Sequence, residues 1–516
     1  MKNRFWIYDK FHYCFLLLLL VNQLSFGQNI FPYFNTGQTK DGFKILGEST
    51  NDISTPGLIT FTPDGIKLVD NLKQYAGVSL DNLDFTTEKG FILEFEFGMD
   101  LGSAAPRYGD GIAMVLYDAA ETNPSMGVKG GALGYAHIRD NSAAKGKPGF
   151  SRGFLGLGLD LYGNYKNIMT SSDEIRNGII NDDQKGDYVV LRGPYNKTET
   201  LEGYPVLFAV NTYENLNYYL NRGSGSVEKR QKGFEGQRFN IRSGKANVGI
   251  GDPGYRKIMI SLVPGKDNVS NEDGFFISVD VFHGNFKSIV VKNYFIPKTG
   301  SITYKEQLTT GGATSRDMQI SVPKNLKMAF TGSTGGASIR AYIRNIALSL
   351  PFSPVANDMS IQGVLVDIPT VVKPLYSAYG YNSNVYSILN PPIKSVLYLD
   401  KKAFRFKRMD PNSKQLVLTP EPYILDEPTV GKFVYNENTG EVTFTPIANF
   451  KGDVPYTFYY DIKNVKPATG TDISIEEYRS RTAAVTLNFV KKGTGIDAYP
   501  TIIVNRGIKN TKQIKP

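Results

Sequence analysis

Apolar and polar residues alternate at a period of two in short segments along almost the whole chain, and no other feature restricts the fold as much. In "FILEFEFGM", Phe91, Leu93, Phe95 and Phe97 fall on one face and Glu94 and Glu96 on the other. Successive side chains of a strand point to opposite sides, so this segment reads as a strand with one buried face. "GFFISVDVF" and "AVTLNFV" repeat the pattern. No long amphipathic helix interrupts it, and 52 Gly and 27 Pro supply turns between strands. The chain therefore reads as all-β, built of sandwiches with loops at the sheet ends. At 516 residues it exceeds what one hydrophobic core serves, which predicts two sandwiches. Pro351 and Pro354 in "SLPFSPVANDM" mark the break, because proline removes a ladder donor. The expected units are 29–351, a smaller sandwich over 354–492, and a basic tail over 493–516.

Residues 1–27 stand apart. Lys2, Arg4 and Lys10 precede the apolar run "CFLLLLLV", and Ser25 and Gly27 follow at cleavage-site spacing, the pattern of a secretory signal peptide. No later segment approaches ~20 consecutive apolar residues, so an integral membrane segment is not expected after its removal. The protein is expected to be secreted or held at the cell surface. Cys14, the only cysteine, lies within the signal, which leaves the mature chain without thiol chemistry. Setting aside three basic and one acidic leader residues lowers the formal charge from +9 to +7, a surplus too mild to imply nucleic acid.

Catalysis has little raw material. Only His137 and His283 remain beyond the leader, so neither a Ser-His-Asp triad nor a multi-histidine metal site can be assembled. Glu94 and Glu96 share a strand face, as a glycosidase pair would need to flank a bond, but a solvated outer face explains them as well. Gly153, Gly156 and Gly158 in "GFLGLG" echo a dinucleotide loop, yet turn chemistry follows instead of a helix. Glycines in a strand more often admit a close neighbour. The insert "NRGSGSVEKRQKGFEGQRFNIRSGK" carries Arg222, Lys229, Arg230, Lys232, Arg238, Arg242 and Lys245, a pattern that suits an anionic partner but is more often a solvated loop between strands.

The stretch "FLGLGLDLYGNYKN" is harder to explain as packing alone. An apolar strand ends in Asp160, Tyr162 and Asn164 at spacing two, and a carboxylate at a buried tip needs compensation by water, a cation or a phosphate. Asp160 and Asn164 offer hard oxygens, residue 162 a backbone carbonyl, and "GIINDDQKGDYVVL" supplies Asp182 and Asp183 nearby in sequence. Oxygen ligands of this kind suit Ca²⁺.

Taken with its neighbours, this stretch resembles the metal and sugar loop of the L-type lectins, the legume and cargo lectins. "GDGIAMVL", "GGALGY", "LDLYGNYKN" and "VPKNLKMAFTGSTGG" resemble that family's motifs and follow its order over about 320 residues. The resemblance implies a concanavalin A-like jelly-roll sandwich. It implies that Asp110 and an amide of Gly130 or Gly131 bind sugar hydroxyls, and that Asn164 serves both sugar and calcium. Asp160 becomes the main calcium carboxylate, with the Tyr162 carbonyl and Asp183 or Asp182 completing the set. The Tyr162 ring would face the sugar, and Gly335 and Gly336 would shape the variable loop. A cis peptide between Gly109 and Asp110 is also implied. Where legume lectins bind a second, transition metal through a glutamate and a histidine, this chain has Gly158 and Tyr188, so that metal is not expected.

In the second unit, "GEVTFTPIANFKGDVPYTFYYDI" resembles cadherin-like or immunoglobulin-like modules of secreted bacterial proteins, which act as spacers. The expected function is calcium-dependent binding of glycans or polysaccharides without catalysis. The alternatives are a polysaccharide hydrolase or lyase on the same fold, and an adhesive surface protein that binds no sugar.

Overall fold

The computed structural model describes residues 42–490 except 63, 81–83, 89, 102–106, 141–145, 168, 172–173, 176, 181–185, 199–202, 232–233, 243–247, 250, 308–312, 382–392, 410–415, 466–478 and 481, together with the strands Pro32–Tyr33, Thr501–Val504 and Lys512–Ile514. Residues 1–27, read as a signal peptide, Asp182, Asp183 and most of residues 493–516 lie outside the described residues. Among the described residues the chain is β-strand with short 3₁₀ turns, and no helix is long and apolar enough to cross a membrane.

Six strands frame the site: β1 (Phe91–Leu101), β2 (Gly111–Asp118), β3 (Gly153–Asp160), β4 (Tyr188–Arg192), β5 (Asn325–Ser333) and β6 (Ile339–Ser349). An 8-stranded sheet holds β1 and β6 side by side, and an 11-stranded sheet carries β4, β3, β2 and β5 in that spatial order, all antiparallel. Apolar side chains from both sheets form one core, as in a jelly-roll sandwich; edge-on contacts such as Phe95 with Phe330, ring centroids 5.1 Å apart, join β1 to β5 across it. A separate core, from Met359 to Leu487, lies between a 7-stranded and a 4-stranded sheet and makes a second, smaller β-sandwich.

Phe91, Leu93, Phe95 and Phe97 face the first core as the alternation predicts. The opposite face departs from a simple solvated surface. Lys257 Nζ donates to Glu94 at 3.2 Å, while Tyr255 Oη and Arg344 Nε donate to Glu96 at 3.0 and 2.9 Å. Tyr255 also belongs to a small apolar group with Val248 and Phe282. Both are thus tied up in ion pairs on the back of the sheet.

Strand β3 is buried at every position, which explains its apolar run on both faces. Its glycines have a physical cause. A Cβ on Gly156 would come within 2.3 Å of the Tyr135 ring, and one on Gly158 within 2.4 Å of the Tyr165 ring. The two tyrosines lie flat on the strand, and their rings fill the space that side chains would take. Gly156→Ala and Gly158→Ala should each destabilise the protein by about 1–3 kcal/mol through overpacking. Denaturant unfolding checks this, and Gly193→Ala, whose Cβ would meet its nearest neighbour at 3.2 Å, should cost less.

Candidate functional site

Strand register assembles the site. Across one end of the larger sheet Ser333 pairs with Gly111, Gly111 with Asp160, and Asp160 with Tyr188. Residues at or just beyond these positions, namely Asp110, the loop after Asp160, Asp187 and the turn after Ser333, therefore emerge together. Backbone hydrogen bonds fasten them to one another. Asp110 N donates to Ser333 O at 3.0 Å, and Asp110 O accepts from Leu161 N at 3.0 Å and Tyr162 N at 3.3 Å. The Gly109–Asp110 peptide is cis.

Asp160 is withdrawn from water entirely. Its Oδ1 accepts from Gly163 N at 2.7 Å, and its Oδ2 from Tyr165 N at 2.8 Å and Lys166 N at 3.4 Å. Burial raises its pKa above the ordinary aspartate value, opposed by the Lys166 charge and by these three amides. The loop folds around the carboxylate because these three amide donors would otherwise be buried unpaired. Two buried cations brace the loop's carbonyls in turn. Lys166 Nζ donates to Gly163 O at 2.6 Å and to Asn167 Oδ1 at 3.2 Å, and lies 4.6 Å from the centre of the Tyr188 ring. Arg192 Nε donates to Tyr165 O at 3.0 Å, with its guanidinium 4.8 Å from the Tyr165 ring centre.

The other predicted residues are brought to the same end. Asp110 is buried, and a Cβ on Gly335 would stand 3.4 Å from its Oδ2. The half-buried Tyr162 packs on Gly109, where an added Cβ would meet its ring at 3.0 Å. Asn164 Oδ1 is buried without a hydrogen-bond partner. Gly336 and Gly130 face open space. The two candidate glycine amides are not equivalent, because Gly130 N already donates to Ser333 Oγ at 2.6 Å while Gly131 is buried behind it.

Asp187 is a carboxylate that spacing did not single out. It lies immediately before β4, one position from the partner of Asp160 in the ladder. Burial raises its pKa; the Arg242 charge and the Ile241 amide oppose that shift, and the nearby Asp160 charge adds to it. Arg242 Nη2 is 3.6 Å from its Oδ2, and its Oδ1 is buried with no hydrogen-bond partner. The same guanidinium lies 4.3 Å from the centre of the Tyr108 ring, two residues before Asp110. Arg242 thus leaves the solvated insert and joins the site. Its sequence context, a basic Gly-rich segment, gave no sign of this, whereas Asp187 had one: an acid placed directly ahead of an apolar strand.

Asp160, Asn164 and Asp187 carry oxygens of the kind a hard cation takes, and Asn164 Oδ1 and Asp187 Oδ1 are buried without partners. Among the described residues no three His, Cys, Asp or Glu side chains gather as a group that could hold a metal ion. Gly158 lies against the Tyr165 ring, and Tyr188 lies beneath the Lys166 ammonium.

No known protein-family profile matches the chain, and no curated protein sequence matches it. Solved structures similar to it include the exoplasmic/lumenal domain of VIP36 in a Ca²⁺/Man2-bound form, at 11% identity over 60% of this chain and 80% of that one, TM-score 0.29. Lectin I-B4 from Griffonia simplicifolia, in a metal-free form, is similar at 11% identity over 62% and 98%, TM-score 0.28. A lectin from Bauhinia forficata in complex with GalNAc is similar at 11% identity over 61% and 95%, TM-score 0.29.

Proposed function

We propose that the protein binds carbohydrate at this end of the first sandwich and that calcium bound there fixes Asn164 toward the ligand. The observation that carries the reading is the pair of buried oxygens without partners, Asn164 Oδ1 and Asp187 Oδ1, at the end of the sheet that also bears Asp110 and Asp160. Leaving such atoms unsatisfied is costly, and a cation coordinated there would satisfy them. Asp160, the Tyr162 carbonyl, Asn164 and Asp187 would hold the ion; Asp187 takes the place given to Asp183 or Asp182 in the sequence reading. Calcium would supply fixed positive charge that keeps Asn164 oriented. Asp110 would accept from sugar hydroxyls, an amide of the Gly130–Gly131 turn would donate to them, and the Tyr162 ring would cover the apolar sugar face. The Gly335 and Gly336 turn leaves the space the ligand needs. Binding without catalysis fits the carboxylates, since Glu94 and Glu96 are engaged on the opposite face of their sheet. Export is read from residues 1–27, and the second sandwich is read as a cadherin-like or immunoglobulin-like spacer of a bacterial surface or secreted protein.

Asp110→Ala should weaken glycan binding by about tenfold to a hundredfold, the worth of a hydrogen bond to a charged acceptor, and leave the calcium response nearly unchanged. A glycan array followed by affinity retention measures the first part, and equal retention of variant and wild type on the selected glycan refutes the assignment.

Calcium at a hundredfold excess over its Kd should stabilise the wild type by about 2.7 kcal/mol relative to EDTA. Asn164→Ala and Asp187→Asn should lose most of that increment. Calorimetric melts with calcium and with EDTA test this, and an increment of the same size in both variants places the ion elsewhere.

A further inference from the structure

Lys166 is the least expected residue of the loop. A lysine at this position, fully withdrawn from water, forfeits the hydration of its ammonium, and only close partners compensate that loss. Its partners are specific. Nζ donates to Gly163 O at 2.6 Å and to Asn167 Oδ1 at 3.2 Å, it stands over the Tyr188 ring at 4.6 Å, and its charge favours the ionised form of the equally buried Asp160. Each of these partners belongs to the segment 160–167 or to the strand beside it.

The pattern is that of an ion at the centre of a loop. Asp160 gathers the amides of residues 163, 165 and 166, and the ammonium gathers the carbonyl of residue 163 and the amide oxygen of residue 167. The peptide joining Asn164 to Gly163 is therefore gripped on one side by the lysine, with the Gly163 amide held by the aspartate. We propose that Lys166 is a built-in cation, a positioning residue whose ammonium orders the loop 160–167 without bound metal, so that calcium and sugar meet a loop already formed. This rests on the reading of the loop as part of a sugar site only for its consequence, since the ordering itself is a property of the free protein.

The consequence is a regulatory one. If the lysine supplies the charge that shapes the loop, chelation removes an increment of stability without melting the segment, and glycan binding weakens in EDTA instead of disappearing. In a variant without the charge, binding becomes strictly dependent on calcium.

Hydrogen exchange of the full chain in EDTA tests the ordering directly. The amides of Gly163, Tyr165 and Lys166 should be protected in the wild type. In Lys166→Met they should exchange at least about tenfold faster, with the strands β2 and β5 unchanged, and calcium should restore part of the protection. Lys166→Gln keeps hydrogen-bond donors but no charge and should behave like Lys166→Met; if it matches the wild type, or if Lys166→Met does, the charge is not what orders the loop. Protection of these amides in the wild type only after calcium is added also overturns the proposal. A Lys166→Met chain that loses the protection of β2 and β5 as well would assign the lysine to the core and reject the local role. Affinity for a glycan selected by the array, measured with EDTA and with calcium, gives the second readout: a wild type that retains measurable binding in EDTA and a Lys166→Met variant that binds only with calcium support the proposal. Should no glycan bind at all, the sugar reading fails while the exchange result still decides the role of Lys166.

Discussion

The charge of Asp160 is the constraint from which the rest of the site follows. A carboxylate at the tip of a strand buried along its whole length has no water to solvate it, so the chain must bring donors to it. Three amides of the following turn do so, and their convergence fixes the path of residues 161–166. That path sends Leu161 and Tyr162 back onto the Asp110 carbonyl and leaves Asn164 at the apex. One buried charge thereby sets the relative placement of the two segments that carry the candidate sugar contacts.

Charge balance around it is local. Lys166 answers Asp160 and Arg242 answers Asp187, and the aromatic rings of Tyr188, Tyr165 and Tyr108 lie against the cations Lys166, Arg192 and Arg242. Rings cost less to bury than water-bound groups and still offer a negative face, so they let cations enter the interior at tolerable cost. The abundance of tyrosine in this unit thus has an electrostatic use as well as a packing one.

The strands and their alternation were legible because both depend on local pattern, on which positions face a core. Asp110, Asp160, Asn164 and the two glycine turns were legible through the order of their motifs. Asp183 and Asp182 lie outside the described residues, and Asp187 stands out only once the ladder between β3 and β4 puts it one position from the partner of Asp160. Arg242 and Lys166 were illegible for a different reason. A basic residue in a polar loop looks the same in sequence whether its charge faces water or an interior carboxylate, and only the fold distinguishes the two.

The glycines divide the site into what is fixed and what is free to vary. Gly156 and Gly158 face tyrosine rings at distances no side chain could share, and Gly111, at φ 154°, would press a Cβ to 2.1 Å from Leu159 O, so these positions belong to the frame. A Cβ added at Gly130 or Gly336 meets nothing within 4 Å, so a side chain there would disturb no neighbour at its root. At Gly130 the positive φ of 69° adds a backbone preference, which Gly336 does not share. Gly335 lies between the two cases, since its Cβ would reach ordinary contact with the Asp110 carboxylate. The frame therefore tolerates no change where it holds Asp160 and much change at the rim. A scaffold of that kind keeps its loop chemistry constant while the residues that border a ligand differ, and Gly336 is the position where the sequence can alter the shape of the rim at least cost to the fold.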